Sequence, residues 1–267
     1  MMERDATKET IEWLMRAASW LVSLPRISNK GRMTTKPATM HAPLSTTGLI
    51  MPPDFPSVEH NAIHQKVLPR AQTSKDVYEQ FGGAWSAQAY RFFAMTEYQG
   101  AFCDSLAKAG ASPPPLERYR QERDLFGFFS NGVSVLEATF YGLFSLGAFL
   151  SPDDFPIATE NDRKVIGPRK TKSAIAKAFS EDPINQAIDA AMKDPAYVDW
   201  HEIRNTLTHR AAPARAFHYP PGGAIPDQWK IKNIALDAGL VTSRRAELSR
   251  LLTTLLQGID QFTKTRL

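Results

Sequence analysis

The sequence predicts an all-α protein: an up-and-down helical bundle of four to five main helices, with a small hairpin inserted before the last. Three observations carry that prediction. Apolar residues recur at three- and four-residue steps over several long stretches, the spacing that gathers side chains on one helix face. Residues 110–115, 151–156 and 211–213 interrupt those stretches with glycine and proline, which end helices because one is too flexible and the other lacks an N–H. The composition, 43% hydrophobic and 22% charged over 267 residues, is that of a chain able to bury a core.

Residues 1–56 read as an N-terminal amphipathic helix followed by a disordered linker. Ile11, Leu14, Met15, Ala18, Leu21 and Val22 repeat at helical spacing, and Glu12 and Arg16 interrupt any secretory-type apolar core. Residues 25–56 are rich in Ser, Thr, Pro and Met and hold too few large apolar groups to offset the entropy of ordering. Met33 and Met51 lie inside or at the edge of this region, so an internal start, with the first residues an extension of little functional weight, belongs to the reading.

The folded domain is expected over residues 57–267. Thr73 or Ser74 caps a helix whose stripe of Val77, Phe81, Trp85, Ala89, Phe92 and Phe93 continues to about Ala109, with Gly82 and Gly83 able to divide it. The next helix opens near Leu116 and runs to about Gly147. From Val133 to Leu150 its only charge is Glu137, as expected of a central helix buried on several sides. Asn131, Ser134, Glu137 and Tyr141 line up on it as a polar stripe that burial would force to find partners.

Residues 160–172 read as a charged loop in which Arg163, Lys164, Arg169, Lys170 and Lys172 form either a solvated surface or a phosphate-contacting rim. Helices follow at about 173–179, 183–193 and 195–210. Residues 217–219 and 229–234 suggest the small hairpin. Thr242 or Ser243 caps a last helix, with Leu248, Leu251, Leu252, Leu255, Leu256, Ile259 and Phe262 on its buried face.

The single cysteine, Cys103, excludes an intramolecular disulfide and a cysteine-based metal cluster, and points to a reducing, cytoplasmic setting. No membrane attachment is expected, since residues 11–24 lack a strongly basic face and residues 133–150 read as a buried central helix. Cys103 itself is expected to be a packed side chain. The net charge of +4 is compatible with a polyanionic partner. His60 and His64 share a helix face but lack an evident third ligand, so no metal is expected there.

One segment carries chemistry. Within residues 200–209, Arg204 is followed directly by the polar Asn205 and, five residues on, by His209, near the end of a helix that Pro213 stops. An arginine, a polar residue after it and a histidine four to six residues beyond the arginine, in an all-helical setting, resembles the hallmark of the HEPN superfamily (higher eukaryotes and prokaryotes nucleotide-binding domains). The resemblance covers about residues 74–262, with the six-residue motif its specific part. It implies a bundle of four or five helices, frequent homodimerisation and, in many members, metal-independent RNA cleavage.

Asn205 and His209 are four apart and share a face, whereas Arg204 and His209 point about 140° from one another on a regular helix. One copy therefore makes no compact site, and two copies across a two-fold axis could; a homodimer is the expectation. On this reading His209 moves the proton of the RNA 2′-hydroxyl or of the leaving 5′-oxygen. Arg204 holds the phosphate, Asn205 orients either group, and the product carries a 2′,3′-cyclic phosphate without metal or cofactor. Arg210 and Arg215 are expected to hold flanking phosphates, with Glu137 and Asn131 orienting the arginine. A toxin or defence endoribonuclease, with a cognate antitoxin or regulatory protein as partner, is the favoured function. The alternative is a non-catalytic HEPN-like module that binds RNA, a nucleotide or a protein.

Overall fold

The computed structural model describes residues 47–209, 215–216, 228–231 and 234–267, with the backbone alone at 209, 216 and 228. The expected amphipathic helix at 11–24, most of the linker, Arg210 and residues 217–219 lie outside the described residues.

The fold is all-α. Its helices are α1 (Ser57–Val67), α2 (Arg70–Thr73), α3 (Lys75–Ala109), α4 (Pro115–Leu150), α5 (Glu160–Lys164), α6 (Pro168–Ala178), α7 (Ile184–Lys193), α8 (Pro195–His209) and α9 (Ala238–Arg266). Helices α3 and α4 form the spine. Gly110, at φ 67°, ends α3 in a conformation that suits glycine, and Pro115 opens α4 at a position where no N–H is needed. The pair runs antiparallel: Tyr98 lies against Gly127, Gln88 Nε2 donates to Thr139 Oγ1 at 2.6 Å, and Trp85 lies against Gly142. Gly82 and Gly83 do not divide α3, which is one continuous helix of 35 residues.

Helix α4 is the centre of the bundle, in contact with α3, α6, α8 and α9. It is long and apolar enough to cross a membrane, yet 67% of its most apolar window is buried inside the fold. That is the pattern of a core helix covered by its neighbours. The polar stripe on α4 does not lie within the core, contrary to expectation. Asn131, Ser134 and Tyr141 are only half-buried and Glu137 is exposed, because the other helices cover the remaining sides.

The folded body extends upstream of Ser57. Met51 and Phe55 are buried in the core, and Asp54 receives the Nε and Nη2 of Arg245 from α9 at 2.7 and 2.6 Å. Helix α1 then docks on α3 through a reciprocal pair: Trp85 Nε1 donates to the His60 carbonyl at 2.9 Å, and His60 Nε2 lies 3.1 Å from the Trp85 carbonyl. Helix α9 buries every residue of its expected apolar face. Its start is earlier than expected: Asp237 caps it by accepting from the Leu240 N–H at 2.8 Å, while Thr242 and Ser243 bond back to carbonyls inside the helix.

Two further expectations change. The charged stretch 160–172 is not one loop: Thr159 and Asp162 form a capping box that starts α5, and Pro168 starts α6 after the Gly167 turn. Residues 229–234 are not one strand. Strands β1 (Arg215–Ala216), β2 (Gln228–Ile231) and β3 (Ile234–Ala235) form a small antiparallel sheet in the order β1-β2-β3, with Arg215 opposite Trp229 and Lys230 opposite Ala235. Trp229 anchors it on α3 against Phe102, 5.9 Å between ring centroids.

Candidate functional site

Helix α8 carries the motif, and its inner face fixes its position. Asp194 starts the helix by accepting from the Ala196 N–H at 2.9 Å. One turn on, Trp200 is fully buried against Phe128 and Phe129, 5.1 and 5.0 Å between centroids, and its Nε1 donates to the Arg244 carbonyl at 3.2 Å. Gly132 makes that docking possible, since a Cβ there would overlap the Trp200 ring. Ile203 is buried one turn further along. The helix is thereby clamped to α4, which decides where its remaining faces look.

Arg204 turns toward α4, where its Nη2 donates to Glu137 Oε1 at 3.1 Å; the two side chains are 25% and 46% exposed. Glu137, expected to orient the arginine, meets Arg204 at the surface rather than inside the bundle. Arginine offers five N–H donors; one is committed here, and its buried Nε has no partner.

Asn205 is exposed and lines a different space, a groove of about 790 Å³ between the start of α6, the end of α7 and the outer face of α8. His201, one turn before Asn205, lines it too, with its ring 4.6 Å from Tyr197. Burial, and then the nearby Arg204 charge, push the His201 imidazole below its ordinary pKa, and its Nε2 is buried without a hydrogen-bond partner. Burial raises the Tyr197 phenol to about 12, with Glu137 adding to the rise and Arg169 opposing it. Tyr197 therefore stays protonated.

The groove is cationic. Arg169, Lys170, Lys172 and Lys193 line it. Asp189 accepts from Lys172 at 2.6 Å and from Lys193 at 2.7 Å, and these two ammonium groups hold its carboxyl down at about 2. Of the expected basic rim, Arg163 and Lys164 are instead engaged locally. Arg163 donates to the carbonyls of Ile157 and Ala158, and Lys164 pairs with Glu160 at 2.9 Å. A second cavity of about 610 Å³ lies on the other side of the Gly167–Pro168 turn, lined by Glu137, Tyr141 and the Gly83 region of α3.

The remaining expected residues distribute as follows. His209 is the last residue of α8, and its side chain lies outside the described residues. Arg215, expected to hold a flanking phosphate, is packed inside the fold rather than exposed. Its side chain is 4% exposed, stacks 3.7 Å from the Trp229 ring, and donates from Nη1 to the Ala111 carbonyl and to Gln121 Oε1 at 3.0 and 2.9 Å. It pins the sheet to the start of α4. Asn131, expected to help orient the arginine, bonds to other groups: its Nδ2 donates to the Gly127 carbonyl at 2.7 Å and its Oδ1 accepts from Arg91 at 3.5 Å.

His60 is a core group stacked on Trp85, and His64 Nε2 meets the Tyr78 hydroxyl at 3.3 Å. Cys103 is half-buried, and burial and Asp104 push its thiol upward, away from a nucleophile's range.

The structure thus gathers Tyr197, His201 and Asn205 on one groove and sends Arg204 to Glu137 beside it. Sequence reasoning missed His201, Tyr197 and Lys193. The signal for His201 was its place four residues before Asn205, on the same helix face. Comparison with protein-family models, with curated proteins and with solved structures finds no match for this chain.

Proposed function

We propose that this protein is a HEPN-like, metal-independent endoribonuclease that acts as a homodimer. The observation that supports the reading is that Glu137 holds Arg204 at 3.1 Å while the next residue of the motif, Asn205, lines a cationic groove. A guanidinium steadied by a carboxylate, with donors left over, is suited to receive a phosphodiester and to meet the charge that grows on it. In this mechanism His209 takes the proton of the 2′-hydroxyl as that oxygen attacks phosphorus. The P–O5′ bond breaks, the proton taken up by His209 is passed to the 5′-oxygen as it leaves, and a 2′,3′-cyclic phosphate remains. Two motif helices meeting across a two-fold axis supply the arginine of one copy and the histidine of the other.

The test is incubation of the full chain with total RNA in EDTA, followed by analysis of product ends. Cleavage giving cyclic-phosphate ends is expected in the wild type, falling by about 10²-fold or more in His209→Ala and Arg204→Ala, the scale on which a general acid–base group or a charge-stabilising donor acts. On the toxin or defence reading, overproduction of the wild type slows growth and His209→Ala does not; a cognate protein that relieves the effect would be the antitoxin or regulator. RNA binding without cleavage would instead identify a non-catalytic HEPN-like module.

A further inference from the structure

We infer that the groove between α6, α7 and α8 is the track that holds the phosphodiester chain of single-stranded RNA and leads it along α8 toward the motif; this rests on the function proposed above. Four cations, Arg169, Lys170, Lys172 and Lys193, converge on one trough from two different helices, and the carboxylate among them, Asp189, offsets about one of those charges. Such an excess at a concave surface attracts a polyanion.

The trough also has apolar lining open to solvent. Val165 and Val198 line the trough, although both are more than half exposed to solvent. A lining that combines charged and apolar residues suits a chain whose phosphates are charged and whose bases are not. The volume, about 790 Å³, falls within the roughly 300–1,000 Å³ typical of sites for small molecules, so it takes a few extended nucleotides rather than the body of a duplex.

His201 and Asn205, one turn apart on α8, add polar side chains to the lining of the trough and carry the line toward the carboxyl end of α8. These residues bind and position the strand; they take no part in proton transfer.

The experiment measures binding apart from cleavage. Full-length His209→Ala protein is titrated against a labelled single-stranded RNA of roughly a dozen nucleotides at several salt concentrations. Adding Lys170→Gln and Lys193→Gln together is expected to raise Kd about tenfold and to flatten the slope of log affinity against log salt by about 1.4, since each lost phosphate contact removes about 0.7 on a single strand. Adding Asp189→Asn, which frees Lys172 and Lys193, is expected to tighten binding, an effect that damage to the fold cannot mimic. Lys108→Gln, at the far end of α3, is the charge control and leaves both quantities unchanged.

The inference is overturned if the groove variants keep the parental Kd and slope, or if poly-glutamate competes as well as RNA, which would assign the groove to acidic protein. Should the wild type cut no RNA while the groove variants still shift Kd as stated, the nuclease proposal falls and the track stands.

Discussion

His60 and His201 are both histidines on helices, and both are depressed in pKa chiefly by burial. They have opposite meanings. His60 is sealed where α1 meets α3, stacked 5.1 Å from Trp85 with Phe55 at its edge, and the ring nitrogen of each residue pairs with the other's carbonyl. His201 has its ring on Tyr197 but opens onto a trough rimmed by four cations. The same loss of solvation favours the neutral ring in both places, but one ring is a packing unit of the core and the other is part of a groove wall. What distinguishes them is not the imidazole but what faces it.

That contrast can be broken by truncation. His60→Ala leaves a cavity beside Trp85 and a carbonyl without its partner, so a loss of roughly 3 to 4 kcal/mol in unfolding free energy is expected by denaturant titration. His201→Ala, at the groove, should stay within about 1 kcal/mol of the parent. Equal costs at the two positions would remove the distinction.

Acidification sharpens it. Folded His60 has its pKa lowered to about 4, below the value near 6.5 in the unfolded chain, so the unfolded state takes up the proton first. The stabilisation is present above pH 6.5 and is lost as pH falls toward 4, by about 3 kcal/mol at most. His64 is depressed in the same direction and adds to the loss. Urea titrations across this window should show a drop that shrinks in His60→Gln and persists in His201→Gln.

Helix α8 repeats the contrast on its own two sides. On the sealed side, Gly132→Ala forces a methyl group against Trp200, and overpacking of this kind costs about 2 kcal/mol. A lower Tm, together with weaker RNA binding as the motif helix shifts, is the expected result. On the open side, Glu137→Gln removes the charge of a partly exposed pair, and a change below about 1 kcal/mol is expected. Its larger effect should be on cleavage rather than on thermal unfolding, because Arg204 loses the carboxylate that steadies it.

Much of the fold was legible in the residues. The apolar stripe from Leu248 to Phe262 is the buried face of α9, and the glycine and proline signals at Gly110 and Pro115 mark real helix ends. Less of the site was. Arg204 and Asn205 stood out as a spacing, but their surroundings did not. Glu137 was expected on a buried stripe and is exposed, because a helix apolar on nearly every side gives no local sign of which side its neighbours leave open. Arg215 looked like a surface cation and is packed on Trp229, since its burial depends on a sheet formed by residues up to twenty positions away.

The chain's own pattern of apolar spacing and helix punctuation determined that the protein is all-α and which residues share each helix face, because both are properties of a few consecutive residues. Tertiary structure alone decided that Glu137 meets Arg204 across 67 positions of sequence, and that cations from α6 and α7 gather opposite His201 and Asn205. Those meetings follow from how Trp200 seats α8 over Gly132, a contact between distant segments that no local periodicity encodes.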